Sequence, residues 1–156
     1  MAVGTVSGVD PADNWQLVAS QAMSGLNTYT FSSLSGYKTY WLVGKSLTHT
    51  TTDIVAIRVN GDTSGGAYAN DWAIQNAGAS AGQFIVTPTQ TVVHAFSFEI
   101  DNADKSAPHH VKSTGYGTVS PGDAYTDPVA ITSLTVKAYS NNNFTGGTVY
   151  LYGIAS

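Results

Sequence analysis

The sequence predicts an all-β antiparallel sandwich, and three observations carry that prediction. Charged residues make up only 10% of the 156, against roughly 25% in an average soluble protein. The chain is rich instead in Thr, Ser, Gly, Asn, Val and Tyr, the residues of strands and turns, with a single Glu and few Lys or Leu to propagate helices. Third, apolar residues recur with a period of two in short runs separated by turn chemistry. A chain of this length makes one domain with a real core, and halving it would leave two marginal pieces.

The runs follow one another at short intervals. Trp15 to Met23 alternates Trp15, Leu17 and Ala19 against Gln16, Val18 and Ser20. Thr28 to Phe31 follows the turn signal Ser24-Gly25. Tyr37 to Leu47 is long and aromatic. Asp53 to Asn60 sets Val55, Ile57 and Val59 on one face and Arg58 on the other, and Asn60-Gly61-Asp62 reads as a tight hairpin turn before a run from Ala67 to Gln75. Gln83 to Thr87 ends at Pro88. Thr91 to Ile100 alternates most cleanly, with Val92, His94, Phe96, Phe98 and Ile100 against Val93, Ala95, Ser97 and Glu99. Val111 to Val119, broken by Gly115 and Gly117, precedes the turn Ser120-Pro121-Gly122-Asp123. Ile131 to Ala138 puts Leu134, Val136 and Ala138 on one face. Phe144 to Ile154 is apolar or aromatic on both faces, which requires a strand central in its sheet or pressed against another subunit. This gives about eight to ten strands, the spacing of a sandwich or barrel, as a single domain over 15–156 preceded by an arm over 1–14.

Composition also excludes partners. A net charge of -4 with six scattered Lys and Arg is poor for nucleic acid or an anionic membrane surface. With no cysteine there is neither a disulfide framework nor a thiolate metal site. No stretch approaches the roughly 20 apolar residues of a membrane span. Met1 to Gly8 lacks the regions of a signal peptide, so synthesis in a cytoplasm is expected.

The order Phe31-Ser32-Ser33-Leu34, Tyr37-Lys38-Thr39-Tyr40, Ile57-Arg58-Val59-Asn60-Gly61-Asp62 with Tyr68, Phe98-Glu99-Ile100, Ile131-Thr132-Ser133-Leu134 and Phe144-Thr145-Gly146-Gly147-Thr148-Val149-Tyr150-Leu151-Tyr152-Gly153-Ile154 resembles a small jelly-roll β-sandwich domain of tailed-bacteriophage virion proteins. The resemblance spans Asn27 to Ile154. It implies a structural, often trimeric, virion component, either a head-decorating cement protein or the terminal domain of a tail fibre, and it implies no catalytic residue.

The polar residues offer few chemical constellations. His109-His110 are strand neighbours pointing to opposite faces, with no companion at metal-ligand spacing. His94 shares its face with Phe96 and Phe98 and is expected in the core or at a subunit contact, where protonation at mildly acidic pH would weaken the protein. Asn60-Gly61-Asp62 with Asp53 or Asp71 offers oxygens to calcium, but Asn-Gly suits a turn that needs positive φ, and the alternating Asp spacing of a calcium loop is missing. Arg58, isolated in a charge-poor strand, is expected to meet a carboxylate across the sheet or at a subunit contact. The sequence has no Gly-x-Ser-x-Gly and no paired-carboxylate signature. No enzyme and no cofactor or metal are therefore expected. A row of Trp and Tyr on one sheet face would make a platform for sugars, or an interface.

The resulting expectation is a virion structural protein that decorates the head and bridges neighbouring subunits of the major capsid protein, itself a homotrimer. A fibre normally carries a shaft of heptads or repeats, which this sequence lacks. The small, β-branched arm, with Ala2, Val3, Val6 and Val9, has the composition to add to a neighbour's open sheet edge. Arg58, Tyr68, Trp72, Tyr150 and Tyr152 complete the expected contact residues. The alternative is a tail-fibre or receptor-binding module that presents Tyr and Trp to host surface glycans.

Overall fold

The computed structural model describes residues 14–64, 67–69, 83–87, 93–115 and 118–156. Ala2, Val3, Val6, Val9, Asp71 and Trp72 lie outside the described residues. Eleven strands run through the described residues: β1 (Gln16–Ala22), β2 (Thr28–Phe31), β3 (Tyr37–His49), β4 (Val55–Val59), β5 (Tyr68–Ala69), β6 (Phe84–Ile85), β7 (His94–Asp101), β8 (His109–Gly115), β9 (Thr118–Tyr125), β10 (Leu134–Ala138) and β11 (Phe144–Ala155). They form a seven-stranded sheet in the order β1-β11-β3-β7-β8-β9-β5 and a four-stranded sheet in the order β2-β10-β4-β6. Every pairing is antiparallel.

The winding is that of a jelly roll. β1 pairs β11, β2 pairs β10, β3 pairs β7 and β4 pairs β6, so the chain behaves as one long antiparallel ribbon whose successive pairs alternate between the two sheets. β5 and the β8–β9 hairpin are additions at the far edge of the larger sheet. β11 lies between β1 and β3, an interior place in its sheet, with Val149 and Leu151 in the core and Tyr150 and Tyr152 half-buried on the other face.

Inward side chains fuse the sheets. Leu42, Phe98, Ile100, Val149 and Leu151 from the large sheet meet Val55, Ile57, Val59, Leu134 and Val136 from the small one, all fully buried. Tyr68 packs edge-on against Phe84 at 5.0 Å between ring centroids, and Phe84 lies 5.5 Å from Phe98. Each such side chain contributes about 1.5–3 kcal/mol by leaving water.

Two sequence-based expectations change. The run Val111 to Val119, broken at its glycines, belongs to two strands, β8 and β9, which pair antiparallel with Gly115 opposite Thr118. The expected turn at Ser120-Pro121-Gly122-Asp123 lies inside β9, with Pro121 opposite Lys112. Among the described residues β9 meets β5 only at Ala124 and Tyr125, which leaves Pro121 beside the sparsely paired edge of the sheet, where proline is tolerated. The second change concerns Asn60-Gly61. Both residues have positive φ, 50° and 68°, and the Asp62 amide donates to the Val59 carbonyl, as a tight turn requires. The turn nonetheless leads from β4 in the small sheet to β5 in the large one, and the two strands do not pair as a hairpin.

Candidate functional site

The outer face of the seven-stranded sheet carries two cross-strand rows that follow from its register. One runs Leu17, Tyr152, Trp41, Glu99, Lys112 and the other Ser20, Tyr150, Val43, Ser97, Thr114. Directly opposed residues share a face, so Tyr150 and Tyr152 on β11 stand beside Val43 and Trp41 on β3. Trp15, just before β1, closes the row: its ring centroid is 5.4 Å from that of Trp41, Trp41 is 5.6 Å from Tyr152, and Tyr152 is 6.4 Å from Tyr150. The Lys45 ammonium sits 5.5 Å above the Tyr150 ring, a cation–π contact. Trp15 remains 39% exposed, while Trp41, Tyr150 and Tyr152 are half-buried, partly by one another.

Beside this aromatic strip the same face opens into a groove of about 470 Å³ lined by Val43, Lys45, Val93, Ala95, Ser97 and Thr114. The Ser97 and Thr114 hydroxyls are hydrogen-bonded across β7 and β8. The face ends in charge: Lys112 lies 3.3 Å from Glu99 and 3.7 Å from Asp101, and these carboxylates hold its ammonium above its ordinary value. The face thus passes from aromatic through hydroxylic to charged.

The other expected residues do not join it. Tyr68 is 2% exposed; its hydroxyl accepts from the Val59 amide at 3.0 Å and donates to the Asp62 carbonyl at 3.0 Å. Burial pushes that phenol up to about 12. Tyr68 is therefore a core side chain tying β5 to the end of β4, and the expectation that it contacts a partner is corrected. Arg58 is half-buried on the outer face of the small sheet, opposite Thr135. Its charge helps to lower the Asp62 carboxyl and, after burial, the Lys137 ammonium. It is remote in the fold from the strip.

The polar clusters serve the fold. Asp53 accepts backbone amides from Ile54, Ser140 and Asn142 at 2.7, 2.8 and 3.1 Å. Burial disfavours its charge, yet these three donors outweigh it and hold the carboxyl below its ordinary value. Asn60 similarly accepts from Thr132 and Ser133 and donates to the Ala130 carbonyl. Asp53 and Asn60 flank opposite ends of β4, so their oxygens do not converge as a calcium loop would need. His109 is buried, stacked on Tyr125, with its ring nitrogens 2.8 Å from the Val129 carbonyl and 3.3 Å from that of Asp101. His110 on the opposite face is exposed. Among the described residues no group of three or more His, Cys, Asp or Glu is placed to hold a metal ion.

His94 is in the core, as its apolar face predicts, and has a companion that the sequence reading passed over. The His49 ring stands edge-on to His94 at 4.9 Å and lies 4.4 Å from Phe144. Burial, then the neighbouring His94, keep the His49 imidazole below its ordinary 6.5 against a weaker pull from Asp53. His49 could have been found by extending β3 two residues beyond Leu47.

No family model matches the chain, and no curated protein matches it. Among solved structures, the crystal structure of A. japonicus CB05 is similar at a TM-score of 0.39 and 9% identity over 90% of this chain. The chain spans about a quarter of that protein's length, 25%.

Proposed function

We propose that this chain is a bacteriophage virion structural protein of the decoration type, which attaches to the shell through the outer face of its seven-stranded sheet. The strip Trp15–Trp41–Tyr152–Tyr150 is the observation that carries the reading. Tryptophan and tyrosine dominate the energetics of protein contacts because they bury much area at little entropic cost, and here a rigid sheet holds them ready. Their packing favours a protein over a sugar. Neighbouring rings tilted by 51° and 39° at 5.4 and 5.6 Å cover part of each other's faces, whereas a pyranose needs a free face to stack on. The resemblance of the closing Phe144 to Ile154 segment to virion jelly rolls supplies the context, with the major capsid protein as partner.

The alternative, a tail-fibre or receptor-binding module for host surface glycans, draws on the groove beside the strip, where Ser97, Thr114 and Lys45 offer hydrogen-bonding groups. Two measurements separate the readings. Immunogold labelling of intact virions is expected over the head; label confined to the tail moves the protein to the alternative, and no label overturns both. In capsid-binding assays, Trp41→Ala with Tyr152→Ala is expected to cost about 2 kcal/mol or more, roughly thirtyfold in affinity, with the circular dichroism spectrum retained. A folded double variant that saturates capsids like the wild type removes the strip from the contact.

A further inference from the structure

We infer that β1 is a pairing edge, and that its partner is β1 of a second copy of this chain. The four sheet edges among the described residues are unequal. β5 and β6 have two residues each and β2 has four, while β1 has seven, Gln16–Ala22. Proteins protect long edges with charge, proline or brevity, and β1 has no charged residue and no proline. One bulge, between Leu17 and Ala19, interrupts its pairing with β11, which leaves Ala19 to Ala22 regular. Ser20, Gln21 and Ala22 are exposed.

Three of the five exposed large apolar side chains among the described residues point to the occupant. Trp15 at 39%, Leu17 at 58% and Leu26 at 59% flank this one strand, the first two at its start and the third just beyond its end. Two copies of one edge related by a two-fold axis run antiparallel, so the start of β1 in one copy meets its end in the other. Trp15 and Leu17 are thereby brought toward Leu26 of the second copy, and each exposed group is covered by its counterpart. A two-fold normal to the sheet keeps like faces together, and directly opposed residues must then share a face. Ser20 faces outward with Tyr150, and the register we infer sets this outward residue, beside the middle of the bulge-free segment, opposite Ser20 of the second copy. No charge is placed against a like charge in that register. The row Thr114, Ser97, Val43, Tyr150, Ser20 then continues through the axis into the same row of the second copy, doubling the outer face as one surface. The contact is two-fold, so mass distinguishes it from the trimer that the resemblance implies, and it stands independently of the virion reading.

Sedimentation equilibrium of the full chain tests this directly. The wild type is expected at twice 16.3 kDa. Ser20→Glu alone and Ser20→Lys alone each oppose like charges across the axis and are expected as folded monomers, whereas an equimolar mixture of the two is expected to recover the dimer. A wild type that stays monomeric up to its solubility limit overturns the inference. So does a trimer, and so does a Ser20→Glu variant that remains fully dimeric. If either variant misfolds by circular dichroism, Leu17→Lys replaces it and is expected to dissociate the dimer; retention of the dimer there also overturns the proposal.

Discussion

His49 and Asp53 sit four residues apart around the end of β3, and they give acid stability two separate windows. The His49 imidazole has its folded value lowered beneath 6.5 by burial and by His94. Below pH 6.5 the unfolded chain therefore takes up a proton that the folded chain resists, so the stabilisation is complete above that pH and is lost as pH falls toward the folded value. Asp53, also lowered, keeps its contribution above its ordinary 3.8 and loses it at lower pH. Thermal melts against pH are expected to show a first decline beginning near pH 6.5 and a second below pH 3.8. His49→Phe, which can fill the same space against Phe144, is expected to flatten the first and spare the second, and Asp53→Asn the reverse. A wild-type melting temperature constant from pH 7 to about 5 would show that protonating this pair costs nothing.

At the scale of elements, the decisive joint is between β3 and β11. Their register shifts three times, on either side of Gly146 and again between Ile154 and Ala155, while Ser46 on β3 takes a φ of 54° and Gly147 on β11 a φ of 101°. A Cβ at Gly147 would lie 2.6 Å from the Ser46 carbonyl oxygen and 2.7 Å from the Leu47 Cα. Backbone atoms of a central strand cannot retreat, and the φ itself is unfavourable for any residue with a side chain. Gly147→Ala is expected to cost about 1–3 kcal/mol or more, measured by urea unfolding, whereas Gly25→Ala, with open space around it, is expected to lose only the strain of its φ. Equal losses at the two sites would remove the close approach as the cause. Consecutive glycines inside a strand are a bulge signal that the sequence analysis did not use, and which strand they press against became visible only with the pairing.

On the scale of the whole molecule, the pairs β1 with β11 and β2 with β10 join segments more than a hundred residues apart, so the ribbon closes only when nearly all the chain is present. Topology of this kind makes folding slow and all-or-none. Removal of 144–156 withdraws β11 from between β1 and β3, and the shortened chain is expected to lack the dispersed amide spectrum of a folded protein. A folded truncation would mean that the small sheet and the remaining strands form a core without it.

The sequence by itself determined the all-β class, the position of most strands, the inward residues of β4, β7 and β10, and the centrality of β11, because a period of two and a doubly apolar strand are local properties of the chain. It also put Tyr150 and Tyr152 on one face. It did not separate Tyr68, a core side chain, from Tyr152, a surface one, since both rings stand in apolar runs and burial depends on what arrives from the other sheet. Trp41 joins Tyr152 only through the register of β3 with β11, and Trp15 only through the placing of β1 beside them. The aromatic strip, the His49–His94 pair and the long open edge of β1 were decided by tertiary structure alone, for one physical reason: each is a relation between strands that the jelly-roll winding brings together from distant parts of the chain.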